Sequence, residues 1–155
     1  MLYKIPQFPQ YTFAIDIISS KDAIAAGNID NVVFINHKYI SSLNILYSSI
    51  YKTIVTYKNT NNKFTEETFI KDIYINLYAT KNVKKIAFDT FTVFPENEHC
   101  LKIELVDSSK NIESPTPLKD IVNIINTERD ITKIEEIYKT IDEVVINELI
   151  QLRGL

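Results

Sequence analysis

Residues 83–107 read VKKIAFDTFTVFPENEHCLKIELVD and carry the clearest strand pattern in the chain. Apolar and polar residues alternate on both sides of the turn-forming residues 95–98, which is the pattern of a β-hairpin. We therefore predict strands over 83–94 and 99–107. One face of this hairpin is rich in aliphatic and aromatic residues, so it should form one side of the hydrophobic core.

The segments around this hairpin predict an α+β fold. Residues 11–18 (YTFAIDII) are rich in strand-forming residues, and residues 39–58 have apolar residues at helical spacing. Residues 64–80 fit both a helix and a strand, and the helix is the favoured interpretation. Two C-terminal helices should follow, over 118–126 and 131–152. We expect a small antiparallel sheet covered by helices, with these two C-terminal helices packed on the sheet or projecting from it.

Length and composition limit the number of domains. The chain has 155 residues, of which 45% are hydrophobic and 24% charged, so it can bury one core of ordinary size. The turn-rich stretch after residue 107 divides the sequence into an α+β core, 1–110, and a C-terminal helical segment, 115–155. We expect one domain, with the helical segment as a possible arm.

Several classes of site are excluded by rare residue types. Two glycines cannot build a glycine-rich phosphate loop. One cysteine and two histidines make a disulfide or a zinc site an unpromising interpretation. We expect no cofactor. No signal peptide or membrane-spanning stretch is visible, so we expect a location in the cytoplasm or in a virion.

Net charge and amino-acid bias suggest the kind of partner. The formal net charge of −3 opposes strong binding to nucleic acid phosphates. The chain is rich in Ile, Lys and Asn, which have AT-rich codons, and poor in Gly and Pro. This bias suggests the hypothesis of a phage or viral protein.

One pair of carboxylates is a candidate for metal-dependent catalysis. The predicted hairpin register places Asp89 directly opposite Glu104, close enough to share a divalent cation as in some nucleases. The lysine expected two residues after the second acid in a common nuclease pattern is replaced by Val106. Enzymatic activity is therefore only the second alternative function.

The polar face of the helix predicted at 39–58 is a candidate interface. It includes Ser41, Ser48 and Lys52, and it is unusually poor in charge for a helix face in water. Small hydroxyl residues allow a second backbone to approach closely. The alternative is an ordinary exposed face.

The helix predicted at 131–152 supplies the rest of the interface hypothesis. Its main apolar stripe includes Val145 and Leu149 and should face the core, whereas Ile146 and Ile150 form a second apolar spot on another side. Glu148 lies inside the main stripe, where an unpaired charge is costly, unless the stripe frays there near the end of the chain. We predict that Ile146, Glu148 and Ile150 contact a partner protein, with a Lys or Arg of the partner meeting the carboxylate.

Together these features predict a non-catalytic protein that binds other proteins in a homo- or hetero-oligomer. The favoured role is a structural or assembly subunit, and the codon bias suggests a virion as that assembly. The first alternative is a small acidic inhibitor or immunity-type protein, and the second is the nuclease-like enzyme at Asp89 and Glu104.

Overall fold

The computed structural model describes residues 1–29, 31–60, 66–78, 84–106 and 116–152. Within these residues the chain forms four strands and seven α-helices. The strands are β1 (Leu2–Ile5), β2 (Phe8–Ser19), β3 (Val32–Ile35) and β4 (His99–Val106). The helices are α1 (Ser20–Ala26), α2 (Leu43–Thr60), α3 (Glu66–Tyr78), α4 (Lys84–Phe91), α5 (Leu118–Glu128), α6 (Ile131–Tyr138) and α7 (Glu143–Leu152).

The four strands form one antiparallel sheet in the order β1-β2-β4-β3. The predicted α+β class, with a small antiparallel sheet, helices and C-terminal helices, is confirmed. The predicted N-terminal strand is the middle part of β2, and the predicted strand at 99–107 is β4. Helices α2 and α3 contact each other, and buried residues of both belong to the same core as Leu101 and Ile103 of β4.

The predicted hairpin is wrong in its first half, because residues 84–91 form α4. Ala87 and Phe91, four residues apart, are both buried, so this short segment has an apolar helical face as well as an alternating pattern. Strand β4 is hydrogen-bonded to β2 along one side and to β3 along the other. A strand has only two sides for pairing, so none remains for a hairpin arm.

Helices α2 and α3 form the middle of the chain, and α3 decides between helix and strand for residues 64–80. The described part of this stretch is helical, and Ile73 and Leu77 of α3 are fully buried. Helix α2 begins at Leu43, because His37–Tyr39 forms a separate 3₁₀ turn. Ile50 and Ile54, also four residues apart, place the apolar stripe of α2 in the same core.

The predicted single helix at 131–152 is two helices. Lys139 ends α6 with a left-handed backbone, φ 61°, and Asp142 then starts α7 by accepting hydrogen bonds at Oδ1 from the backbone N–H groups of Val144 (2.9 Å) and Val145 (3.4 Å). This break changes which side of the helix faces inward. Ile134 and Tyr138 of α6 are buried, and a continuous helix would bury Val145 and Leu149 next. The buried residues of α7 lie one position later on the chain, at Ile146 and Ile150.

The C-terminal helices contact the remainder of the chain. Helix α7 packs along α2 and also touches α3, while α5 and α6 contact the 3₁₀ turn. The turn-rich stretch that was expected to divide the chain after residue 107 lies outside the described residues. Among the described residues, no helix combines the length and apolar character that crossing a bilayer requires.

Candidate protein-interaction surface

The polar face of α2 receives a second helix, but that helix belongs to the same chain. The side chain of Ser48 donates a hydrogen bond to Oδ1 of Asn147, and its carbonyl accepts one from Nε2 of Gln151 at 3.1 Å. Lys52 Nζ donates to the carbonyl of Gln151 at 2.8 Å. Both Ser48 and Lys52, predicted to meet a partner, are thus used to hold α7 against α2.

Two buried hydroxyl groups further along α2 form hydrogen bonds within the chain. Ser49 and Thr53 donate back to carbonyls of their own helix at 2.8 Å, and Asn76 of α3 donates to Thr53 Oγ1 at 2.8 Å. Ser41 precedes α2 and is buried, with its carbonyl accepting a hydrogen bond from Arg129 at 2.8 Å. Ser41 is therefore also withdrawn from the surface.

The prediction for the last helix is wrong about which side faces the core. Ile146 and Ile150, expected to contact a partner, are both 0% exposed and lie in the hydrophobic core. Glu148 is exposed, as a contact with another protein requires. The residues expected to form the core stripe point outward instead, because the break at Lys139 shifts the helical phase by about one residue, or roughly 100°.

The exposed side of α7 is the candidate site, and we call it the α7 outer face. Its apolar members are Val144 (67% exposed), Val145 (40%), Leu149 (40%) and Leu152 (60%), with Glu148 among them. These five positions fall within about 140° of the helix circumference. Four large aliphatic residues grouped on one helix face are the kind of apolar patch that marks a protein-interaction site.

The three acidic residues at and before α7 differ in what they contact. Asp142 caps the helix, and Glu143 Oε1 accepts a hydrogen bond from the hydroxyl of Ser42 at 2.8 Å. Glu148 has no hydrogen bond or ion pair within the part of the chain that the structure describes. Two of the acids therefore stabilise the fold, and the third is available on the α7 outer face.

A groove adjoins the start of α7. It encloses about 580 Å³ between α2 and α5, and it reaches α7 at Glu143. Its lining is mixed, with Leu43, Leu118 and Val122 beside polar side chains and Arg129. Glu143 is the one residue of α7 in this lining, so the groove lies beside the start of the helix and is separate from the α7 outer face.

The proposed metal pair is not in strand register in the structure. Asp89 lies on α4 and is exposed, whereas Glu104 lies on β4 opposite Ala14 and Val32. Lys102 Nζ is 3.8 Å from a Glu104 carboxylate oxygen. The hairpin register that joined the two acids does not exist, so the nuclease interpretation is wrong. No group of three His, Cys, Asp or Glu side chains suited to a metal occurs among the described residues.

The cysteine and the buried histidine have structural surroundings. Burial raises the pKa of the Cys100 thiol to about 11, so little thiolate is present near neutral pH. His37 is fully buried; burial lowers its pKa, and Nε2 lies 3.3 Å from Oε1 of Glu128 on α5. Both groups are placed to pack and to connect elements rather than to attack a substrate.

An exposed apolar helix face on a firmly packed chain is typical of proteins that bind other proteins. Comparison with known proteins gives the particular family. Residues 16–153 match the family described as kinase binding protein CGI-121, and the chain belongs to this family. One similar protein is the EKC/KEOPS complex subunit CGI121 of Candida albicans, 27% identical over 184 aligned positions that cover 97% of this chain and 90% of that protein.

The comparisons correct the predicted role. The family description names kinase binding, and the relative is an EKC/KEOPS complex subunit of Candida albicans, so the assignments as a viral or virion component and as an inhibitor or immunity-type protein are wrong. Codon bias reports the base composition of a genome and does not distinguish a virus from a cell. The expectation of a protein partner agrees with the family description, which names kinase binding, and the non-enzymatic role stays a prediction. A virion location is wrong, and a cytoplasmic one stays a prediction.

Proposed function

We propose that this protein binds a protein kinase through the α7 outer face and acts as a non-catalytic subunit of a complex of the EKC/KEOPS type. The observation that carries the proposal is the exposed apolar face itself, which lies within the residues matched by a family of kinase-binding proteins. The kinase is then a different chain, so the assembly is a hetero-oligomer.

The α7 outer face suits this task because its helix is firmly held. Hydrogen bonds join α2 to α7, and Ile146 and Ile150 anchor the inner side of α7 in the core. A helix fixed in this way presents Val144 and Leu152 with little loss of conformational entropy on binding. Removal of these side chains from water supplies the attraction, at about 25 cal/mol per Å² of apolar area before the costs of association.

The test is calorimetric titration of the purified chain with the protein kinase of the same complex from the same organism. We expect the wild-type chain to bind, and the double variant V144D/L152D to bind at least about tenfold more weakly, because two charges then replace two apolar contacts. Both positions are at least 60% exposed, so the variant should fold.

The control is I24D, which introduces one aspartate at a 48% exposed isoleucine on α1, away from α7. It should bind like the wild type. Absence of binding by the wild-type chain would contradict the kinase assignment, and equal weakening by I24D and V144D/L152D would contradict the location on α7.

A further inference from the structure

Glu148 is the feature of the α7 outer face that the proposed function does not explain. Apolar contact alone would be best served by an uncharged residue at this position. Val144 and Leu152 lie one helical turn before and after Glu148, and Val145 lies three residues before it, so three of its four nearest neighbours along the helix are aliphatic, the fourth being Gln151.

The position of Glu148 sets a condition on any protein that covers this face. A partner that contacts the residues on both sides of Glu148 also removes the carboxylate from water. An ionised group removed from water without an opposite charge is strongly unfavourable. Among the described residues, no lysine or arginine is paired with Glu148; Arg129 and Lys133 contact the carbonyl of Ser41 and the carboxylate of Glu136 instead.

Resting on the proposed function, we infer that the kinase surface bound by this protein is an apolar patch with one lysine or arginine placed to pair with Glu148. The other two acids, Asp142 and Glu143, already accept hydrogen bonds within the chain and are not needed for this pairing. The pair lies inside the contact rather than at its rim, and it therefore selects a partner with a cation at this place.

The inference is tested with E148Q and E148L in the same titration with the kinase. Glutamine keeps the shape and removes the charge, and leucine completes the apolar face. If a kinase cation faces this position, both variants leave it unpaired in a water-poor contact, and both should bind at least about tenfold more weakly than the wild type. The matched control is E135Q, at an exposed acid on α6, which should bind like the wild type.

The outcomes separate this inference from the proposed function. Weakening by less than tenfold in either variant, or tighter binding by E148L, overturns the partner cation. If V144D/L152D still loses binding in that case, kinase binding through α7 stands without the cation. The comparison of variants is sharper than a salt titration, because salt also screens charges at the rim of a contact.

Discussion

The orientation of α7 can be tested by truncating two neighbouring residues that the sequence and the structure rank oppositely. Ile150 is 0% exposed, whereas Leu149 is 40% exposed. The helical stripe predicted from the sequence places Leu149 inward and Ile150 outward. The variants I150A and L149A remove the same number of carbon atoms from adjacent positions, so the comparison isolates burial.

The expected magnitudes follow from the two environments. I150A leaves a cavity among core residues and should lower the free energy of unfolding by about 2–5 kcal/mol. L149A removes a side chain that is partly in water already, and alanine is the best helix former, so its cost should stay below about 1 kcal/mol. For a chain of this length the first change corresponds to a fall in Tm of roughly 4–20 °C.

Urea unfolding followed by far-ultraviolet circular dichroism measures both values in the chain without its partner. The midpoint should fall clearly for I150A and little for L149A, with similar m-values. A cost for L149A equal to or larger than that for I150A would refute the orientation of α7, and with it the α7 outer face.

Two further predictions concern buried polar groups. Tyr138 donates a hydrogen bond from its buried hydroxyl to the carbonyl of Leu77. Y138F removes this bond and should lower the free energy of unfolding by about 0.5–1.5 kcal/mol; a urea midpoint equal to the wild-type value would contradict this. Burial lowers the pKa of His37 below its ordinary 6.5, although Glu128 opposes the change. As the pH falls, His37 therefore becomes protonated in the unfolded chain before it does in the folded chain. The free energy of unfolding should then fall from its value above about pH 6.5 as the pH approaches the folded-state pKa of His37. H37Q should show a smaller loss between about pH 7 and 5.5, and an NMR titration giving His37 a pKa above 6.5 would contradict the assignment.

Part of the candidate site is visible in the residue types of the sequence. Apolar residues at 144, 145, 149 and 152 and the acid at 148 stand out, and their spacing supports a helix there. Asp142, a favoured N-cap residue just before EVVINELI, is the signal that a new helix begins. The prediction of one continuous helix from Ile131 does not take account of this N-cap. For that reason it places the wrong side of α7 in the core.

The sequence alone determined the features that depend on local pattern. Alternation in β4 and the strand-forming run in β2 predicted an antiparallel sheet, helical spacing predicted α2, and rare Gly, Cys and His argued against the common phosphate-binding and metal-binding motifs. These signals are local because each comes from the repeat of one element, about 2 residues in a strand and 3.6 in a helix.

Only the tertiary structure decided which apolar surface is buried. Segments 84–91 and 143–152 are rich enough in apolar residues to offer more than one plausible face, and local periodicity does not choose between faces. Contacts between elements that are distant in the sequence determine which face is buried. Strands β2 and β3 occupy both sides of β4, and α2 packs against the side of α7 on which Ile146 and Ile150 are buried. A face is buried when the rest of the chain has a complementary surface for it, and that surface lies far away in the sequence.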